Sequence, residues 1–187
     1  MKKLLIVVAA LVGIAGTAQA QEPTRRFEIS PYAGAYLGLG DQRDTLKDAF
    51  LLGLKLKYDV HPYVAVVGSF AWSPTEAKQY GDAKLDLFQY DVGLQGQYPI
   101  AITADWTLKP FVGVGLGART YEFRDLNVDS ETDFVWYSEL GANVERGPIV
   151  VGVTARDTMS AYDGLAGERD STTRIDLQLA GHVGVRF

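Results

Sequence analysis

The chain has 187 residues, of which 47% are hydrophobic and 22% charged, enough for one domain of ordinary size. Its 18 Lys and Arg against 23 Asp and Glu give a net charge of −5, which argues against a strongly basic nucleic-acid binder. The sequence contains no cysteine, which excludes disulfides and Cys-based zinc, iron–sulfur and thiol chemistry. Its 20 glycines and 11% aromatic residues favour a β-rich fold over a helical one.

The first twenty residues have the pattern of a secretory signal peptide. Two lysines are followed by the apolar run Leu4–Ile14 and by the small-residue motif Ala18-Gln19-Ala20. The sequence therefore predicts a signal peptide over residues 1–20, cleaved before Gln21, and an exported protein over residues 21–187. The alternative is a membrane anchor, but the uncharged stretch is short and rich in Ala and Gly.

The rest of the sequence alternates between apolar and polar residues with a period of two, as β-strands do. From Thr173 to Phe187 the odd positions are mostly apolar and the even positions are polar or small. This segment is much longer than the roughly 5–6 residues of an average soluble strand. Beyond residue 20 no apolar run is long enough for a transmembrane helix, whereas a transmembrane strand needs only about 9–11 residues.

The same alternation occurs eight times, which predicts eight strands. The predicted strands cover Phe27–Leu37, Phe50–Asp59, Val64–Trp72, Phe88–Tyr98, Leu108–Arg119, Phe134–Glu145, Ile149–Arg156 and Thr173–Phe187. Short turns are expected at 60–62, 99–105 and 145–148, and longer polar loops at 39–49, 73–84, 124–133 and 157–172. This arrangement is typical of an all-β, eight-stranded antiparallel up-and-down transmembrane barrel, with its short turns in the periplasm.

Nearly all charged residues of the predicted strands fall on the polar face. We interpret this face as the barrel lumen, because a Lys or Arg at the lipid midplane costs about 2–4 kcal/mol. The predicted lumen charges are Glu28, Lys55, Lys57, Asp91, Lys109, Arg119, Glu139, Arg156, Arg174 and Asp176. They either fill the lumen as a network of ion pairs or rearrange as the gate of a narrow pore. A soluble lipocalin-like barrel, with its faces reversed, is the alternative fold.

Two segments resemble those of a known family. Lys109–Gly117 and the C-terminal Gly181–Phe187, together with the signal peptide, are similar to the small eight-stranded outer-membrane barrels of the opacity-protein and OmpA/OmpX-like group. The resemblance implies the outer membrane of a Gram-negative bacterium, with outer-membrane lipids and lipopolysaccharide as neighbours. It also implies that the barrel-assembly machinery and periplasmic chaperones act during biogenesis. The implied assembly signal consists of Leu179, Val183, Val185 and Phe187.

The possible chemical motifs have structural explanations. Gly113-x-Gly115-x-x-Ala118 formally matches a dinucleotide fingerprint, but it lies inside a predicted strand with no helix after it. His61 is expected in a turn and His182 in the lumen. Two separate histidines offer too few ligands for a metal site. Ser138 has no histidine on its face, so a lipid-modifying triad is disfavoured. We therefore expect no catalytic residue, no cofactor and no metal.

The two longest predicted loops are acidic. Each of the segments 124–133 and 157–172 contains one cation against four carboxylates. These carboxylates either keep the loops solvated or bind divalent cations that bridge to lipopolysaccharide phosphates. The candidate cluster is Asp129, Glu131, Asp163 and Asp170. The sequence favours an envelope-stabilising or surface-interaction role, in which the loops bind a host or envelope ligand. A narrow pore, a lipid A-modifying enzyme and a soluble binder are the alternatives.

Overall fold

The computed structural model describes residues 25–39, 46–78, 81–124, 130–162 and 172–187. These residues form nine strands, of which one has only two residues. The strands are β1 Phe27–Leu39, β2 Ala49–His61, β3 Val64–Ala77, β4 Ala83–Gln97, β5 Ile100–Ala101, β6 Trp106–Phe123, β7 Glu131–Arg146, β8 Ile149–Tyr162 and β9 Thr172–Arg186. The predicted signal peptide over residues 1–20 lies outside the described residues and stays a prediction.

The eight long strands form a closed antiparallel barrel. Each strand pairs with its neighbours in sequence, β4 pairs with β6 across the β5 turn, and β1 pairs with β9. Closure leaves none of the eight strands with an unpaired edge, which a bilayer requires because it offers no water to backbone groups. The predicted fold class is therefore confirmed.

The pairing register determines the tilt of the strands. Starting from Phe27 and following paired residues once around the barrel leads back to β1 at Leu37. The return point is ten residues further along the strand (37 minus 27), so the barrel has eight strands and a shear of ten. Such a barrel tilts its strands by roughly 35–45° and leaves an interior just wide enough for side chains.

The two faces of the sheet are chemically opposite, as the alternation predicts. Large apolar side chains such as Val114, at 60% exposure, point outwards, and charged ones such as Arg119, at 1%, point inwards. A soluble barrel would have the reverse arrangement, so the lipocalin-like alternative is wrong. Aromatic residues lie on the outer face near both ends of the strands, including Phe50 and Trp136 near one end and Tyr98 and Phe187 near the other.

Several predicted boundaries are wrong, among them the start of β4, which was expected at Phe88 and lies at Ala83. Strands β3 and β8 continue to Ala77 and Tyr162, so much of the expected loops 73–84 and 157–172 is strand. Backbone pairing continues there because β3–β4 and β8–β9 form hairpins that extend beyond the aromatic residues. The expected turn 99–105 contains β5, whose Ile100 pairs with Leu108 of β6.

The first and last strands meet at the short-turn end of the barrel. The amide of Phe27 donates to the carbonyl of Phe187 at 3.0 Å, and Phe187 donates back to Phe27 at 2.9 Å. Gly147, at a φ of +56°, forms the tight turn between β7 and β8, a conformation that favours glycine. No helix among the described residues is long and apolar enough to span a bilayer.

Candidate functional site

At the short-turn end the lumen opens into a charged vestibule of about 760 Å³. Its floor is an ion-pair network in which Lys109 lies 2.9 Å from Glu145, and Arg186 contacts both Glu145 and Asp59. All four side chains come from strand ends that meet at this mouth. We call this group the mouth network.

Above the mouth network lies a second, fully enclosed pair. Lys57 Nζ lies 2.8 Å from Glu28, whose side chain is 0% exposed, and the Ser30 hydroxyl donates to the same carboxylate at 2.6 Å. Gln97 connects this layer to the mouth, since its amide nitrogen donates to Asp59 at 3.0 Å. Ion pairs and hydrogen bonds therefore cross the lumen at this level.

In the middle of the barrel Arg156 is held by two carboxylates. Its guanidinium donates to Asp91 and to Glu139, each at 2.8 Å, and lies 4.0 Å from the ring centre of Tyr137. Lys55 lies beside this group. A cavity of about 20 Å³ lies among these side chains, which is space for about one water molecule.

The polar layer nearest to the long loops is built around Arg119. The guanidinium of Arg119 pairs with Asp176 and donates a hydrogen bond to Gln89 at 2.8 Å. The carboxylate of Asp176 also accepts a hydrogen bond from the hydroxyl of Tyr36. Arg119 and Asp176 are 1% and 0% exposed. We call this group the Arg119 layer.

The long-loop end of the lumen is closed by an apolar cluster that the sequence analysis missed. It consists of Tyr36, Leu46, Ala77, Leu85, Leu87 and Tyr121, and we call it the outer cap. Leu46 reaches it from the chain before β2, through a bridge to Ala77. The signal was present: Leu85 and Leu87 continue the inward alternation of β4 but are apolar, which indicates a dry plug above the polar layers.

Glycines on the inner face make room for aromatic rings. A Cβ atom at Gly115 would lie 2.4 Å from the ring of Tyr137, and one at Gly53 would lie 2.2 Å from the ring of Tyr32. Gly115 belongs to the fingerprint-like motif, which lies in β6 and therefore has a packing role.

Nine of the ten predicted lumen charges are buried in the interior of the barrel, and the side chain of Arg174 lies outside the described residues. Pairing is required because an isolated charge in a low-dielectric interior is very costly. Lys55 has the weakest partners of the nine. Its ammonium lies 3.5 Å from Nε2 of His182 and 5.5 Å from the ring centre of Phe111.

The four residues of the predicted assembly signal lie on one exposed face of the last strand and its end. Leu179, Val183 and Val185 point outwards along β9, and Phe187 follows them with its ring 5.2 Å from that of Phe27. Their recognition during insertion stays a prediction.

At the long-loop end, exposed charged side chains form pairs beyond the aromatic residues of the outer face. Lys47 lies 2.6 Å from Glu76 and 3.2 Å from Asp82, and these hydrogen bonds raise the pKa of Lys47. Arg124 pairs with Asp86, which also accepts a hydrogen bond from the Trp72 indole at 2.8 Å. Of the predicted acidic cluster, Glu131 begins β7, whereas Asp129, Asp163 and Asp170 lie outside the described residues.

The outer face carries a polar pair, one member of which, Asp157, was predicted in the wrong place. Asp157, predicted in a loop, lies in β8 directly opposite Ser138 of β7. The described part of the chain has no histidine on this face, since His182 is in the lumen, 3.0 Å from Asn143, and His61 ends β2. It also has no group of three metal-ligating side chains.

The sequence matches the family described as outer membrane protein beta-barrel domain over residues 6–187. The chain belongs to this family. Among solved structures, Neisserial surface protein A has a TM-score of 0.58 at 13% identity, over 86% of this chain and 97% of that one. The outer membrane protein OprG from Pseudomonas aeruginosa has a TM-score of 0.55 at 16% identity, over 87% and 97%. A comparison with curated protein sequences found no significant match.

Family membership makes the protein an integral outer-membrane barrel of a Gram-negative bacterium. In such barrels the short turns face the periplasm and the long loops face outwards. The mouth network and its vestibule therefore lie at the periplasmic end, and the outer cap lies at the extracellular end.

Proposed function

We propose that this outer-membrane barrel is a non-conducting, non-enzymatic protein that stabilises the envelope or presents its extracellular loops to a ligand. One observation supports this most strongly: charged layers and the outer cap fill the lumen, and the cavity beside Arg156 and Lys55 measures only about 20 Å³. A path for ions would require Arg156 and Arg119 to leave buried carboxylates, which costs several kcal/mol for each pair.

The extracellular end supports a surface role. Strand β3 continues five residues beyond Trp72, to Ala77, and pairs with β4 over this whole length. The paired hairpin extends beyond the aromatic residues and forms a rigid base, and loops that bind partners usually stand on such a base.

Planar-bilayer recordings test the closed lumen. The purified protein should give no stable unit conductance. Regular conductance steps would support the alternative of a narrow pore, whose gate would be the ion pairs of Arg156 and Arg119. A barrel with Arg119, Arg156 and their carboxylates replaced by Ser serves as the positive control, provided that it still shows heat-modifiable mobility on a denaturing gel.

Complementation separates the two proposed roles. A deletion strain would receive either the full protein or a variant in which residues 125–129 and 163–170 are replaced by short Gly- and Asn-containing turns. If both restore resistance to detergent, the barrel itself stabilises the envelope. If only the full protein restores attachment to a surface, the loops carry an interaction. Restoration of neither property by the full protein would contradict the proposal.

We also propose that the C-terminal strand is the assembly signal. Phe187→Ala should lower the amount of folded barrel in the outer membrane, whereas Phe134→Ala, which removes a similarly exposed ring elsewhere, should lower it less. Equal effects would indicate that only general hydrophobicity matters.

A further inference from the structure

The periplasmic vestibule is unusual in its charge. The protein as a whole is acidic, at −5, yet the charged residues that line this cavity are four cations and two carboxylates. The carboxylates Asp59 and Glu145 are already paired within the mouth network. The cavity therefore has a local excess of positive charge, which attracts anions from the periplasm.

The excess comes from two arginines that precede β1. Neither Arg25 nor Arg26 has a carboxylate within salt-bridge distance among the residues that the structure describes. Their backbone is nevertheless anchored: the carbonyl of Arg25 accepts a hydrogen bond from Arg186 at 2.8 Å, and that of Arg26 accepts one from the amide of Asp59 at 2.8 Å. These hydrogen bonds to the floor hold both arginines, and with them their guanidinium groups, at the rim of the vestibule.

The vestibule ends blindly. Behind its floor lies the enclosed pair of Lys57 and Glu28, so that an anion entering from the periplasm meets a bonded layer and not a channel. One donor of the floor also lacks a partner, because Arg186 Nε is buried with no acceptor among the described residues. A cavity of about 760 Å³ is within the usual range for small-ligand sites.

From this geometry we infer that the periplasmic mouth is a binding site for a phosphate-bearing anion. Several cationic donors converge there, and a phosphate group offers three acceptor oxygens to them at once. The planar guanidinium groups of Arg25 and Arg26 match phosphate oxygens in a bidentate manner, and the ammonium of Lys109 supplies a further charge. The phosphate can belong to an inner-leaflet lipid headgroup or to a soluble periplasmic molecule.

Isothermal titration with inorganic pyrophosphate tests the site in nanodiscs of phosphatidylcholine at low salt. The protein should bind pyrophosphate saturably, and more tightly than citrate, a carboxylate anion of similar charge. The Arg25→Gln/Arg26→Gln double variant should lose about tenfold or more in affinity. The matched control, Lys78→Gln/Lys84→Gln, removes two exposed cations at the extracellular end and should bind like the unaltered protein.

Three results would overturn the assignment: no saturable binding of pyrophosphate, equal affinity for citrate, or equal losses in the two double variants. The double variant at the mouth keeps the backbone contacts of Arg25 and Arg26, and its heat-modifiable mobility verifies that it is folded. Nanodiscs containing phosphatidylglycerol then identify the source. If phosphatidylglycerol competes and weakens the binding of pyrophosphate, the site binds a lipid headgroup. If the binding of pyrophosphate is unchanged, the site binds a soluble phosphate.

Discussion

The two ends of the lumen contain similar ion pairs in different surroundings. At the extracellular end, Arg119 and Asp176 lie beneath an apolar cap and are almost fully buried. At the periplasmic end, Arg186 and Asp59 form a similar pair, but they line an open vestibule. Access to water therefore differs while the chemistry is the same. The comparison shows that a barrel can be sealed on one side by apolar packing and still present charges on the other.

The largest expected effect comes from breaking the same kind of pair at the two ends. Asp176→Asn leaves Arg119 buried without a counter-charge and should lower the free energy of unfolding by about 3–5 kcal/mol. Asp59→Asn leaves Arg186 with Glu145 and with water in the vestibule, so about 1 kcal/mol is expected. Urea unfolding in lipid vesicles measures both. Equal losses would contradict the difference in burial between the ends.

The wall between the two ends offers the next test. Val114→Arg or Leu179→Arg places a cation in lipid and should destabilise the barrel by about 2–4 kcal/mol or block its insertion. Gln95→Ala, on the inner face, should have a much smaller effect. The fraction that shows heat-modifiable mobility after folding into vesicles reports both changes. Similar behaviour of the inward and outward variants would mean that the register of the strands is wrong.

The outer cap should contribute less, because it packs only a small cluster. Leu46→Ala removes one apolar side chain that is 1% exposed and should cost about 2 kcal/mol. The neighbouring Lys47→Ala removes an exposed ion pair and should change stability little. Thermal unfolding in the same detergent compares them. A larger loss for Lys47→Ala would show that surface ion pairs, and not the cap, hold this end together.

The smallest expected effect concerns the predicted acidic cluster. Replacing Asp129, Glu131, Asp163 and Asp170 by Asn should lower Mg²⁺-dependent binding of lipopolysaccharide, if divalent cations bridge these carboxylates to phosphates. Binding to immobilised lipopolysaccharide with and without EDTA measures this. An unchanged affinity would restrict the role of these carboxylates to keeping the loops solvated.

Much of the barrel could be predicted because alternation depends only on local sequence. The inward positions of Glu28, Arg119 and Arg156 follow from the parity of their strands, since a one-residue shift would place all of them in lipid. The same rule would have placed Asp157 on the outer face if the alternation of β8 had been followed beyond Arg156.

The pairing of the lumen charges could not be predicted in this way. Arg156 and Asp91 are 65 residues apart, and they meet only because the shear of ten brings their levels together across the barrel. Shear is a property of the closed sheet and not of any one strand. The vestibule depends on the same register, because Lys109, Glu145 and Arg186 belong to three different strands.

Cysteine labelling tests the asymmetry of the lumen most directly, since the native sequence contains no cysteine. Thr107→Cys lies in the vestibule, Ala77→Cys lies in the outer cap, and Lys84→Cys is an exposed control at the extracellular end. A membrane-impermeant maleimide applied to intact cells should label only Lys84→Cys. Applied to opened membranes, it should also label Thr107→Cys and still spare Ala77→Cys. Rapid labelling of Ala77→Cys from outside would contradict a lumen that is sealed at its extracellular end.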